Sequence, residues 1–127
     1  MAKRRRKYGN REITVDGEKF DSQKEYQRYL ELVTMVKAGL IHDLYRQVRI
    51  ELVPAQYKTY ARYSEKTGKR LKDGRRCVEK AANYIADFVY WEGDKMIVED
   101  VKGVKTPEYI LKRKLMLHIW GIEIREV

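Results

Sequence analysis

The segment YIADFVYWEGDKMIVEDVKG, residues 84 to 103, is apolar enough to be a buried hairpin, yet it carries Asp87 in its first half and Asp100 and Lys102 in its second. Aromatic and aliphatic residues on either side of Glu92-Gly93-Asp94-Lys95 read as two strands around a tight turn. Side chains alternate along a strand, so Asp100 and Lys102 share a face, while Glu99 points the other way and is the weaker candidate. Whether the turn is Gly93-Asp94 alone or all four residues, the register is the same: Trp91 faces Met96, and Asp87 faces Asp100. Opposed residues have Cβ atoms roughly 4.5 to 5.5 Å apart, where like charges destabilise the pair unless something positive intervenes. A divalent cation meets that need. Carboxylate oxygens are hard ligands suited to Mg²⁺ or Mn²⁺, and a site with few of them leaves room for waters and a phosphate. Lys102 is then placed to orient or deprotonate an attacking water, or to stabilise charge growing on the phosphate. The plainer reading is a solvated face on which Lys102 neutralises two aspartates, but the apolar neighbours on both strands argue against it.

A third carboxylate comes from an earlier helix. SQKEYQRYLELVTMVKAGL has Ser22 as N-cap, Tyr29, Leu32, Val33 and Val36 at helical spacing, and Gly39 as its stop. Glu25 lies three residues after Ser22, the capping-box position, from which it would bond back to the Ser22 backbone N–H. It also shares a helix face with Tyr29, Leu32 and Val36, the side that should meet a sheet. Gln47 lies on the next strand, DLYRQVRIELV, and either contacts the site or bonds to backbone as an interior amide. His42 and His118 are far apart in sequence and read as structural.

The remaining elements follow from local signals. ITVDGEKF is a small hairpin with Asp16-Gly17 at its turn. After Pro54 comes a polar, basic excursion, about residues 54–80, with turn signals at Thr67-Gly68 and Asp73-Gly74. Thr106-Pro107-Glu108 opens a second helix with Ile110, Leu111 and Leu115 as its core face, ended by Gly121. GIEIREV closes the chain as a strand, which a right-handed crossover places parallel to the strand carrying Asp100. The order is α-β-β-β-α-β, an α/β architecture in which a mixed β-sheet is flanked by helices.

The 127 residues suit one domain, 13–127, behind a basic tail, 1–12. Ten Tyr and two Trp among 37% charged residues supply enough apolar surface for a core. Cys77 is the only cysteine and cannot make an internal disulfide, which suits a reducing compartment. The start MAKRRRK leads into no apolar stretch, and no run approaches about 18 apolar residues, so neither a secretory leader nor a membrane span is expected. The formal charge of +9 is unevenly spread: residues 1 to 11 hold six basic and no acidic residues, and residues 58 to 80 hold nine basic against three acidic. Two basic appendages on a mildly acidic body suit a polyanion, since each Lys or Arg set on a phosphate releases counterions. Tyr57, Tyr60 and Tyr63 among those cations would stack on bases or anchor the excursion to the domain.

An Asp on one strand, then Asp100-Val101-Lys102 on the next, preceded by a helix bearing Glu25, resembles the PD-(D/E)xK nuclease superfamily. KYGNREITVDGEKFDSQKEYQRYLEL, QVRIEL, YIADFVY, VEDVKG and GIEIREV further resemble small phage proteins regarded as Holliday junction resolvase-like endonucleases, over nearly the whole chain except the excursion. Ala86 stands where the superfamily name puts Pro, a position that commonly varies. The resemblance implies a restriction-endonuclease-like core, with Asp87, Asp100, the Val101 carbonyl and Glu25 on Mg²⁺, for which Mn²⁺ would substitute. It implies that Lys102 assists the nucleophilic water. The expected activity is metal-dependent endonucleolytic cleavage of DNA at branched substrates, by a homodimer, in the cytoplasm of a bacterial host. The residues expected to hold DNA are Arg4, Arg5, Arg6 and Lys7 in the tail, Lys69, Arg70, Arg75 and Arg76 in the excursion, and Lys105. A nuclease acting on linear duplex or mismatches would use the same residues. A non-catalytic DNA-binding module would explain the charge but leave Asp87 opposite Asp100 as an unexplained cost.

Overall fold

Local signals start and stop most elements of the computed structural model, which describes residues 12–127; the tail cations Arg4, Arg5, Arg6 and Lys7 lie outside the described residues. β1 (Ile13–Val15) and β2 (Glu18–Phe20) form the first hairpin, with Asp16 and Gly17 both in the left-handed region at φ 51° and 79°, the backbone an Asp-Gly hairpin turn requires. α1 (Gln23–Lys37) follows, its cap Ser22 accepting from the Glu25 N–H, and Gly39 lies just beyond its end at φ 75°. α2 (Pro107–Leu115) begins on Thr106, whose side chain accepts from the Tyr109 N–H, and widens into a π-helical turn over Met116–Trp120 before left-handed Gly121 ends it.

β3 (His42–Val53), β6 (Ala82–Glu92), β7 (Lys95–Asp100) and β8 (Arg125–Glu126) form one mixed sheet in that spatial order. β7 pairs antiparallel with β6, Trp91 facing Met96 as the turn dictates, and parallel with β8, as the crossover through α2 requires. The closing strand is shorter than its alternation suggests. Arg125 and Glu126 pair with Glu99 and Asp100, and Val127 adds backbone bonds to Asp100 and Lys102. The two helices lie on opposite faces of this α/β fold: α1 packs through Leu32, with Tyr29 and Met35 at the margin, on Ile41, Phe88, Tyr90 and Ile97. α2 packs through Tyr109 and Met116 on Leu52, Tyr84, Ala86, Val89, Val98 and Ile124. The core faces predicted for the helices need correcting at their edges. Val36 and Leu111 are exposed, while Met35, Tyr109 and Met116 join the predicted Tyr29, Leu32, Ile110 and Leu115 against the sheet.

The basic excursion is a β-ribbon. β4 (Gln56–Tyr63) and β5 (Arg70–Glu79) pair with each other, and Val53↔Ala82 and Gln56↔Glu79 keep one register across the break, so the ribbon prolongs the β3–β6 hairpin. Pro54, which has no N–H to give, sits in that break. The tip is at Thr67-Gly68, closed by the Ser64 N–H on the Lys69 carbonyl at 2.8 Å. Asp73-Gly74 is not a turn; both residues lie within β5. Gly74 is there because the Tyr60 ring crosses the opposite backbone, where a Cβ would fall 2.2 Å from the ring. No helix among the described residues is long and apolar enough to cross a membrane.

Candidate active site

β3 and β6 exchange faces at one point, and the site forms there. The ladder runs from Arg46↔Phe88 to Val48↔Ala86 without pairing Gln47 to Asp87, and Gln47 has a left-handed φ of 51°. Leu44 packs with the α1 cluster, but Val48 and Ile50, of the same parity, pack with the α2 cluster. On the partner strand Phe88 and Tyr90 face α1, whereas Tyr84 and Ala86 face α2. A left-handed residue reverses the alternation of a strand, and here it leaves two successive side chains, Arg46 and Gln47, on the α1 side. Arg46 lies over the Phe20 ring, 3.7 Å from its centroid, and its Nη1 approaches Glu18 while its Nη2 reaches 3.7 Å from Glu25 Oε1. The Gln47 amide donates to Glu25 Oε1 at 2.9 Å and to Asp87 Oδ1 at 3.3 Å, and so links helix to sheet.

The first turn of α1 supplies two carboxylates. The capping box is half formed: Ser22 Oγ accepts from the Glu25 N–H at 3.1 Å, but Glu25 Oε2 accepts from the Asp21 N–H at 3.2 Å, one residue before the expected Ser22. That draws Asp21 alongside. Carboxylate oxygens of Asp21, Glu25 and Asp87 all lie within 4.8 Å of one another. Asp21 was not among the residues expected from sequence. Its only local sign is its place beside the cap, and residues there are ordinarily solvated. Glu25 is buried, and burial together with the nearby Asp21 carboxylate pushes its pKa up against the opposing bonds from the Asp21 N–H, Gln47 and Arg46.

From the other side of the gap come Asp100 and Lys102. The β6–β7 ladder ends at Phe88↔Glu99, and the next step of that register sets Asp87 against Asp100. The strand then turns away, with the Val101 N–H donating to Asp87 Oδ2 at 2.8 Å. So the structure presents Val101 to Asp87 through its N–H; the carbonyl was the atom expected at a metal. Asp100 is buried, its Oδ2 accepting from the Tyr84 hydroxyl at 2.7 Å and pairing with Lys102 Nζ at 3.1 Å. Lys102 Nζ also lies 4.0 Å from the Tyr109 ring centroid. Burial, and after it a hydrogen bond and repulsion from Asp100, push the Asp87 pKa up to about 8. With that shift Asp87 holds a proton at neutral pH, where the opposed charges require something positive. Glu99 faces the α1 side, fully buried between Arg28, which bonds both its oxygens, and the Tyr90 hydroxyl.

Four carboxylates, from Asp21, Glu25, Asp87 and Asp100, therefore meet near two cations, Arg46 and Lys102. Two of the four are driven towards protonation. A cluster of hard oxygen donors short of positive charge fits a divalent cation of the Mg²⁺ class, with Asp21, Glu25 and Asp87 offering the nearest atoms. Asp100 borders that group and is turned to Lys102 and Tyr84. The other expected residues lie elsewhere. Lys69, Arg70, Arg75 and Arg76 are on the ribbon or at its tip, and Lys105 pairs with Glu126 at 3.2 Å beside the start of α2. The histidines are remote from the cluster: His42 bonds Asp43 and the Gly93 carbonyl.

The model of a family described as Protein of unknown function (DUF1064) matches residues 5–124. No curated protein matches the chain. No solved structure does either.

Proposed function

The chain belongs to the DUF1064 family, and on that premise we propose that it is a metal-dependent endodeoxyribonuclease with a restriction-endonuclease-like core, acting on branched DNA. One observation carries the reading: Glu25, Asp87 and the Asp100–Lys102 pair, drawn from α1, β6 and the end of β7, converge on one gap with their charges unbalanced. A non-catalytic DNA-binding module has a use for the ribbon but none for that convergence. Mg²⁺ bound there would supply Lewis acidity and lower the pKa of a water. Asp21, Glu25 and Asp87 are the residues that would hold it.

The chain's own groups do the rest. Gln47, bonded to both Glu25 and Asp87, fixes their separation, so the ligand set costs little reorganisation when it is filled. The Val101 N–H holds the second oxygen of Asp87 and aims the first. Lys102, paired with Asp100 and set against the Tyr109 ring, orients the attacking water or meets the negative charge that grows on the phosphate. Symmetric nicking of a junction requires two such sites related by a two-fold axis, hence a homodimer. The test is cleavage of a synthetic four-way junction against its component linear duplex, each with and without Mg²⁺. Metal-dependent cutting of the junction in preference to the duplex is expected. Equal cutting of both moves the activity to linear duplex, and no cutting of either defeats the reading.

A further inference from the structure

The two faces of the ribbon treat their cations differently. Four consecutive cross-strand pairs fix the faces: Tyr57↔Cys77 and Thr59↔Arg75 on one, Lys58↔Arg76 and Tyr60↔Gly74 on the other. On the first face Arg70 and Arg75 are occupied. Arg75 lies over the Tyr57 ring, 3.6 Å from its centroid, and Arg70 lies against Tyr63 and pairs with Asp73. A two-stranded ribbon without a core behind it is marginal in water, and these contacts supply packing that it otherwise lacks. On the second face Lys58 stands opposite Arg76, with Arg62 further along the same side of β4, and none of the three has an ion pair or ring contact among the described residues. Opposed like charges destabilise a hairpin. The half-exposed Tyr60 ring lies among them, flat across Gly74.

Resting on the nuclease reading above, we propose that this second face, Lys58, Arg62 and Arg76 around Tyr60, is the surface that grips the DNA backbone, while Arg70 and Arg75 hold the ribbon together. Phosphates are the occupant that the charge selects, because each free cation can release a counterion there, whereas a cation already laid on a ring and a carboxylate gains less. The eight residues of β4 extend about 25 Å at the usual rise of a strand, enough to follow several phosphates of one duplex arm. The ribbon prolongs β3 and β6, the strands carrying Gln47 and Asp87, so that a duplex held on it lies on the same strand pair as the carboxylate gap.

Binding of the full-length chain to a synthetic four-way junction and to linear duplex, without divalent metal and over a range of salt, tests this. The double variant Lys58→Gln/Arg76→Gln is expected to lower the slope of log affinity against log salt by about 1.8, at about 0.9 per lost phosphate contact. Arg70→Gln/Arg75→Gln is expected to leave the slope unchanged and to lower ribbon protection in hydrogen exchange. Lys58→Glu separates folding from binding, since it sets opposite charges across the ribbon and should raise that protection while weakening DNA binding more than tenfold. Equal slope changes in the two double variants, or parental binding by Lys58→Glu, overturn the assignment. So does capture by phosphatidylserine vesicles that Lys58→Glu abolishes while DNA binding stays parental. Failure of the nuclease reading shows separately: if the parent never cleaves but the slopes split as stated, the ribbon face stands without the chemistry.

Discussion

Like charges oppose each other across antiparallel strands at two places in this molecule, and the two are resolved in different ways. Asp87, half-buried, and Asp100, buried, meet in the carboxylate gap, where burial penalises the charged form of Asp87. The repulsion there is relieved by a proton, hence a pKa near 8 on Asp87. Lys58 and Arg76 meet on an open ribbon, where water and salt screen them. The buried pair should therefore respond to pH and to divalent metal, and the exposed pair to ionic strength. Burial, and not the sign of the charge, decides which variable each pair senses.

The largest expected effect breaks the buried pair. Asp87→Asn should lower cleavage by on the order of 10²–10³ or more, the scale of losing one charge-stabilising group in an active site, without changing the salt slope of DNA binding. The same substitution should raise the melting temperature of the metal-free protein, since Asn can still accept from the Val101 N–H and donate to Asp100. Asp100→Asn should not stabilise to the same degree, because it also removes the charge that pairs with Lys102. Retained cleavage by Asp87→Asn, measured on the substrate the parent cuts best, would remove Asp87 from the site.

Glu25→Gln comes next. Gln keeps an acceptor for the Asp21 N–H and leaves the Ser22 cap untouched, so stability should change by less than about 1 kcal/mol. Cleavage should fall steeply and recover in part at high Mg²⁺ or Mn²⁺, because a lost ligand weakens affinity before it abolishes binding. Parental cleavage by Glu25→Gln at limiting metal would leave Glu25 with its capping and Gln47 contacts alone.

The pH dependence of stability has a definite sign. Asp87 binds its proton up to about pH 8 when folded but only to about pH 4 when unfolded, so between those values the folded state holds the extra proton. Stability of the metal-free protein should fall as pH rises from about 4 to about 8, with Glu25, also raised, adding in the same direction. Mg²⁺ competes with that proton, so its stabilising effect should grow with pH. Thermal melts in chelator and in Mg²⁺ across this range read both trends, and Asp87→Asn should flatten the first. A chelated parent that grows more stable over the window would contradict a proton held on Asp87.

The smallest effect on cleavage is expected at Glu99, the neighbour of Asp100 on the opposite face. Glu99→Gln should cost about 1.5–3 kcal/mol by weakening the charged bonds from Arg28 and Tyr90 and leave the cleavage rate of the folded protein within a few-fold of parental. A loss of cleavage as large as that of Asp87→Asn would show that the two faces of β7 are not independent.

Much of the frame was fixed by chemistry that acts over a few residues. A two-to-four-residue turn fixes the register on both sides of it, which is why Trp91 meets Met96 and why Asp87 is set against Asp100. Ser22, Gly39, Thr106 and Gly121 mark helix ends through their own hydrogen bonds or backbone freedom, and the parallel return of β8 follows from the handedness of a crossover. The membership of the site was only partly within reach of such signals. That Asp21 and Glu25 meet Asp87, and that Gln47 turns left-handed and brings Arg46 and itself to the side of Glu25, depends on contacts between segments more than 20 residues apart. On the ribbon, sequence showed the charge but not which cations were already taken. That depends on which residues stand opposite each other once Tyr60 has crossed Gly74 and Arg75 has settled on Tyr57. Period and capping are local and can be read along a chain; where two charges finally lie relative to one another is set by whatever the rest of the fold places between them.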